Sequence, residues 1–380
     1  MKKSLVIVQD VPTQFDVPLY NQIADNGSFS LLVIYTQMAT EDAEIGRMPQ
    51  WDHIEEHRYQ HHFLNDLERE SSPLLLARVS AVAPDHVIVS GYWPKLHRDV
   101  MHGLRRRGVS VGLRSDNTIR HSALSGVRGR VKRFYLSRLL THYDVWHPVG
   151  RQAADYLTSL AAEAKPVSFF SYNIDNRWFR QHASVSRAER VQRLADVGFP
   201  EQSFVVLGVM KWAEREDPMT LLKAFEQYRS HNSKARLILI GDGPLKAQVN
   251  EMAQKLEAYV HTPGYASYSS LPNWYGLADV FVHPAPREPW GVSVSEALAS
   301  GVPVIASTGV GAAIEQVTEG DNGLIFEPCN VASLVSALKK WQTVAESKTS
   351  EEIVRLCHRA LDKWNYEITI RSFEAVMNDD

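Results

Sequence analysis

At 380 residues, with 44% apolar and 22% charged residues, the chain has the size of two ordinary domains and the composition of a globular protein with large buried cores. Its two cysteines, Cys329 and Cys357, argue against a disulfide framework and fit a reducing compartment. No stretch approaches the length of a transmembrane helix. The apolar run at 5–8 is too short for a signal peptide and reads as a first buried strand. The net charge of −3 conceals a local bias: positions 95–138 hold twelve basic and two acidic residues, which favours anionic partners such as phosphates, acidic lipid or nucleic acid unless acids elsewhere in the fold balance them.

Along the first half, short apolar runs alternate with amphipathic patterns. Strands are expected at 5–8, 31–35, 86–90, 110–114, 145–148 and 167–170, with helices at 17–24, 74–81, 97–107, 130–140 and 152–161. The polar, histidine-rich stretch 40–70 reads as a long loop. A second series begins after Asn176, with strands at 204–209, 236–240, 260–263, 280–283, 302–307 and 323–326, and helices between and after them, the last at 366–377. Short, nearly continuous Val/Ile/Leu strands alternating with helices indicate parallel sheets covered on both faces. The expected organisation is a first α/β domain over 1–176, a second over 177–360, and a terminal helical segment, 361–380, packing back on the first. Ligands of such sheets bind at the carboxyl ends of the strands, and with two domains the cleft between them is the default site.

The most specific string is Arg287-Glu288-Pro289-Trp290-Gly291, followed by Glu296-Ala297 and the strand after Gly301. It places two carboxylates eight positions apart, with Gly291 opening a helix between them. A loop carboxylate can take sugar hydroxyls, one inside the helix can take ribose hydroxyls, and helix-start N–H groups can face phosphates. Lys211 and Arg215, after strand 204–209, can neutralise a diphosphate leaving group. Gly241-Asp242-Gly243-Pro244 turns from strand to helix and suits close approach to a ligand, although such turns also use glycine for purely conformational reasons. His53, His57, His61 and His62 have helical spacing but no cysteine or carboxylate set beside them, so no metal site is expected. No serine-hydrolase elbow or phosphate-binding Gly-Lys-Ser/Thr loop is present.

Over roughly 170–345 these motifs, together with Leu271-Pro272-Asn273-Trp274-Tyr275 and Gly320-Asp321-Asn322-Gly323, resemble the retaining glycosyltransferases of family 4. The resemblance implies the GT-B fold, two Rossmann-like, doubly wound parallel-sheet domains facing a central cleft. It also implies transfer of a hexose from a UDP- or GDP-sugar, with retention and without a metal or other cofactor. Glu288 is then expected to bind the donor sugar, with the backbone of Trp290, Gly291 and Val292 along the sugar and diphosphate. Glu296 is expected on the ribose, Lys211 and Arg215 on the diphosphate, Gly241 beside it, and Gly264 and Tyr265 at the nucleobase. Glu216 stands where many relatives have a second basic residue, and Asp116 and Asn117 stand in for a usual acceptor-side histidine. The catalytic candidates are thus Glu288, Asp116 and Lys211.

The segment with Arg130, Lys132, Arg133 and Arg138 mixes cations and apolar residues at helical spacing, as an interfacial helix does. The expected partners are a nucleotide sugar, a lipid-linked or carbohydrate acceptor and an anionic membrane surface, with no nucleic acid, in a cytoplasmic protein peripheral to the inner membrane face. Two rival readings are a nucleotide-sugar epimerase on the same fold and a non-catalytic protein that binds anionic lipid or nucleic acid.

Overall fold

The computed structural model describes residues 2–37, 57–122 and 124–378. They form two compact units, one of the described residues up to Asn173 together with those from Trp364 onward, the other of Ile174–Lys363.

The first unit is built on six strands: β1 (Lys3–Gln9), β2 (Phe29–Tyr35), β3 (Gln60–Phe63), β4 (His86–Ser90), β5 (Ser110–Ser115) and β6 (Val145–Pro148). All pair in parallel, in the order β3-β2-β1-β4-β5-β6. Leu5 lies between Leu31 of β2 and His86 of β4, and the fully buried Val6 and Val8 on one face alternate with Leu5 and Ile7 on the other. Both faces are therefore covered, which is why these strands read as unbroken apolar runs.

The second unit repeats the plan with β7 (Phe204–Val209), β8 (Ala235–Ile240), β9 (Val260–Gly264), β10 (Val280–His283), β11 (Val304–Ser307) and β12 (Gly323–Phe326), ordered β12-β11-β10-β7-β8-β9. In each sheet the first three strands run outward one way and the last three the other way. The order reverses between β1 and β4 in the first and between β7 and β10 in the second. Loops leaving those strands at their carboxyl ends diverge and leave a crevice there.

Two departures from the sequence reading have physical causes. The stretch read as a loop over 40–70 contains β3 and the helix Asp66–Glu70, while its residues up to 56 lie outside the described ones. Alternate rings at 57, 59, 61 and 63 make the edge strand: Phe63 stacks on Tyr35 at 4.9 Å and His57 on Tyr59 at 5.2 Å, so histidines counted as polar serve as ring surface. The run at 167–170 is an extended edge along β6 with a single bridge, Trp146 to Val167, and it leaves Val167 and Phe169 exposed. The C-terminal helix Tyr366–Asn378 lies in the first unit, where Tyr366, Ile370, Phe373 and Met377 join the core over β1 and β2. The hydroxyls of Ser168 and Ser372 bond at 2.6 Å, and Asn173 Nδ2 donates to Thr369 Oγ1 at 2.8 Å.

Candidate active site

In the second domain, chemistry converges on the loops after β7 and β10, the two strands flanking the reversal of strand order. After β7 the chain turns tightly enough for the Lys211 N–H to donate to Glu216 Oε2 at 2.7 Å. Arg215 Nη2 meets Glu216 Oε1 at 2.8 Å, and its Nη1 reaches across to Glu288 Oε2 at 2.9 Å. One guanidinium is thus shared by two carboxylates, one buried (Glu216) and one partly open (Glu288). Burial pushes the Glu216 carboxyl up to about 7, opposed by Arg215 and reinforced by Glu288.

The Glu288 loop is strapped to the loop after β11. Glu288 donates its N–H to Gly309 O at 3.0 Å and accepts from Gly311 N at 3.0 Å, and Ala312 N donates to Trp290 O at 2.7 Å. The strap needs glycine: a Cβ on Gly309 would sit 2.2 Å from Pro286 O, and one on Gly311 2.0 Å from Pro289 O. Gly291, at φ +92°, ends the loop and precedes the helix Val292–Ala299, while Trp290 is buried. Beneath it His283 is buried, and its Nδ1 has no hydrogen-bond partner among the described residues. Burial and then Arg215 hold its imidazole down to about 4, so it is neutral at physiological pH.

Glu296, one turn into that helix, is only 4% exposed, and the Tyr275 hydroxyl donates to its Oε2 at 2.9 Å. Burial raises its carboxyl to about 7 against the lowering effect of that hydrogen bond. Expected as a ribose ligand, it sits in this structure as a buried acid with one oxygen bonded by the Tyr275 phenol. The Gly241 turn has a packing cause: a Cβ there would lie 2.0 Å from Met210 O, because Trp212 crosses the turn, donating its N–H to Asp242 O at 2.9 Å. Gly241 N donates to Gly264 O at 2.9 Å, which brings the ends of β8 and β9 together beside half-buried Tyr265.

His283, Gly309 and Gly311 were not singled out from sequence, and Tyr275 appeared there only as part of the string 271–275. The signal for the glycines was their spacing directly after a strand. For the buried Tyr and His nothing local distinguishes them from core residues.

In the first domain a pocket of about 270 Å³ opens at the carboxyl ends of β1, β4 and β5, lined among others by Asp10, Phe15, Asp16, Arg114, Asp116 and Tyr172. Arg114 pairs with Asp16 through both terminal nitrogens, at 3.0 and 2.8 Å, and its guanidinium lies 3.5 Å over the Phe170 ring. Tyr172 donates its hydroxyl to Asp116 Oδ2 at 3.1 Å, and Asn117 bonds Ser115 Oγ.

The basic segment divides between paired and unbalanced charges. Arg114 is buried and neutralised internally, Arg105 pairs with Asp144 at 2.8 Å, and Lys95 with Asp99 at 2.6 Å. The remaining charge concentrates on the helix Gly126–Leu140, with Arg130, Arg133 and Arg138 exposed and Lys132 half-buried. Val127, Val131, Phe134 and Tyr135 on it are also exposed, and Arg138 sits over Phe134 at 4.4 Å. Among the described residues no group of three His, Cys, Asp or Glu is placed to hold a metal, and no helix is long and apolar enough to cross a membrane.

Two like-wound parallel-sheet domains in one chain define the GT-B architecture. The chain superposes on a glycosyltransferase from Rickettsia africae with a TM-score of 0.78 at 12% identity, covering 100% of this chain and 99% of that one. Anabaena Alr3699/HepE, solved in complex with UDP, gives 0.75 at 15%, covering 98% and 99%. Likeness at such identities is likeness of fold. Residues 192–353 match the family described as Glycosyl transferases group 1. Alpha-monoglucosyldiacylglycerol synthase of Acholeplasma laidlawii is 32% identical over 143 residues, 37% of this chain and 35% of that protein. The match spans between 35% and 39% of the length of the first curated relatives.

Proposed function

We propose that the protein is a retaining, metal-independent glycosyltransferase that moves a hexose from a UDP- or GDP-sugar to a hydroxyl of a lipid-linked glycan or glycolipid precursor. The observation that carries this reading is the Arg215–Glu288 pair at 2.9 Å beside the β7/β10 reversal, which couples a diphosphate-binding cation to a sugar-binding carboxylate. The bond from the sugar's anomeric carbon to the diphosphate breaks, and Lys211 and Arg215 stabilise the charge that develops on the leaving oxygen. The acceptor oxygen bonds the same face of that carbon and passes its proton to the departing phosphate. Glu288 holds donor hydroxyls; Asp116, with Tyr172 and Asn117, is the acceptor-side candidate in the first domain. A relative named for a glucosyldiacylglycerol product, together with the cationic, apolar face of Gly126–Leu140, supports an acceptor at a lipid surface.

The test is a thermal-shift series with UDP, GDP, ADP and their sugars, followed by transfer assays with and without EDTA. Stabilisation by a uridine or guanosine ligand and EDTA-resistant transfer are expected, with Glu288→Gln slowing transfer by about 10²-fold or more. No stabilisation by any nucleotide would remove the reading. Sugar interconversion without acceptor would replace it by an epimerase.

A further inference from the structure

The second domain buries a carboxylate in the loop that supplies the diphosphate ligands of the proposed function. Glu216 is 7% exposed, and both its oxygens are occupied, Oε2 by the Lys211 N–H at 2.7 Å and Oε1 by Arg215 Nη2 at 2.8 Å. Charged and titratable groups from several elements face this cluster. Arg215 and Lys211 come from its own loop. Glu288 comes from the loop after β10 and bonds the other end of the same guanidinium. His283, at the end of β10, lies against Arg215 and is neutral. Asp242, across the Trp212 crossing, has its own cation in Lys246 at 3.1 Å. Arg215 is thus committed to two carboxylates, which engage both terminal nitrogens of its guanidinium.

An arriving diphosphate changes that balance in one direction. Arg215 turns its N–H groups toward phosphate oxygens, Glu288 turns to sugar hydroxyls, and Glu216 loses its countercharge while new negative charge arrives. A buried carboxylate left without a cation is the costlier form. A carboxylic acid keeps the Lys211 N–H on one oxygen and offers an O–H from the other. Resting on the proposed function, we infer that Glu216 is a positioning residue that holds Arg215 against Glu288 in this arrangement and takes one proton from solvent when the donor binds, freeing the guanidinium for the diphosphate. The only bond made is O–H on Glu216, and the proton comes from buffer. Its poise supports this, because burial holds the carboxyl at about 7 in this arrangement.

The experiment is titration calorimetry of the full chain with UDP-glucose and with GDP-mannose, diphosphate diesters that themselves carry no titrating proton near neutrality. It is run at about pH 7.5 in phosphate and in Tris, whose ionisation enthalpies differ, so that the difference in heat counts protons. Uptake of about half a proton or more is expected in the wild type. Affinity should weaken as pH rises above about 7, by up to about tenfold per unit. Glu216→Gln, isosteric and permanently neutral, should bind at least as tightly at about pH 8.5, with a flat pH profile and no buffer dependence. A purely structural role for Glu216 does not move the proton count. Buffer-independent heats in the wild type, or uptake that persists in Glu216→Gln, for instance from Glu296, overturn the inference while leaving donor binding intact. If neither sugar nucleotide binds, the proposed function falls and this inference with it.

Discussion

Glu288 and Glu296 lie eight residues apart, yet their surroundings give them opposite chemistry. Glu288 shares a guanidinium and keeps part of its carboxylate open to solvent, whereas Glu296 is buried under a phenol donor with its carboxyl raised to about 7. For stability the sign follows from linkage: folding favours protonated Glu296. Its contribution is therefore complete below the unfolded value of about 4.5 and is lost as pH rises through about 7. Glu296→Gln keeps an acceptor for Tyr275 and removes the charge, so it should raise the melting temperature at pH 8 by the equivalent of about 1 kcal/mol or more. It should have little effect near pH 4.5. Unfolding curves of variant and wild type across that range decide it, and parallel pH profiles would contradict the assignment. Sequence spacing singled out both glutamates but could not say which was buried, since the phenol that satisfies Glu296 is 21 positions upstream and carries no mark of its own. Glu216 was equally legible as a departure in charge. That it binds Arg215 rather than repelling a ligand outright was legible only once the loop's turn was known.

At the scale of elements, periodicity located nearly every strand and helix, and it failed where composition misleads. The histidine-rich run forms β3 because imidazoles stack as rings, and the basic segment divides because its members point to different surroundings. Arg114 is swallowed by Asp16 and Phe170 at the end of β5, while the helix Gly126–Leu140 retains its cations and carries no acidic residue. That helix buries only Gly129, Leu136, Leu139 and Leu140. Its exposed Val127, Val131 and Phe134 recur at helical spacing beside cations, which is the arrangement that inserts ring and branched side chains among lipid headgroups. Reversing Arg130, Lys132 and Arg133 to glutamate should weaken binding to vesicles containing anionic phospholipid by about 10²-fold, at about 1 kcal/mol per cation. Donor hydrolysis should be unchanged. Co-sedimentation at two salt concentrations reads this directly, and undiminished binding by the variant would show that the helix is only a solvated face.

For the whole molecule, alternation of strand and helix conveyed two parallel-sheet domains, but not the order of strands. Pairing β1 with β4 joins residues about eighty positions apart, and no local pattern encodes such a neighbour. The C-terminal helix is expected from sequence to pack back on the first domain, but its amphipathic pattern does not say against which residues there. Tyr366, Ile370, Phe373 and Met377 fill the face over β1 and β2 together with Tyr20, Val33 and Phe170. Phe373 sets its ring edge-on to Phe170 at 4.9 Å, and Asn173, the last residue of the first unit's longer stretch, is tied to Thr369. Each of these apolar side chains contributes about 1.5–3 kcal/mol through burial. Their joint loss is comparable with the whole stability of a typical domain, about 5–15 kcal/mol. A chain ending at Lys363 should therefore unfold its first domain at markedly lower temperature than the full chain does. The second, Ile174–Lys363, contains every proposed donor ligand and loses none of its own core. Calorimetry should then resolve two transitions where the lower one is unaffected by UDP or GDP and the upper one moves up with whichever is the donor nucleotide. A single transition at the full-length temperature would mean that the terminal helix contributes little to the first domain's core.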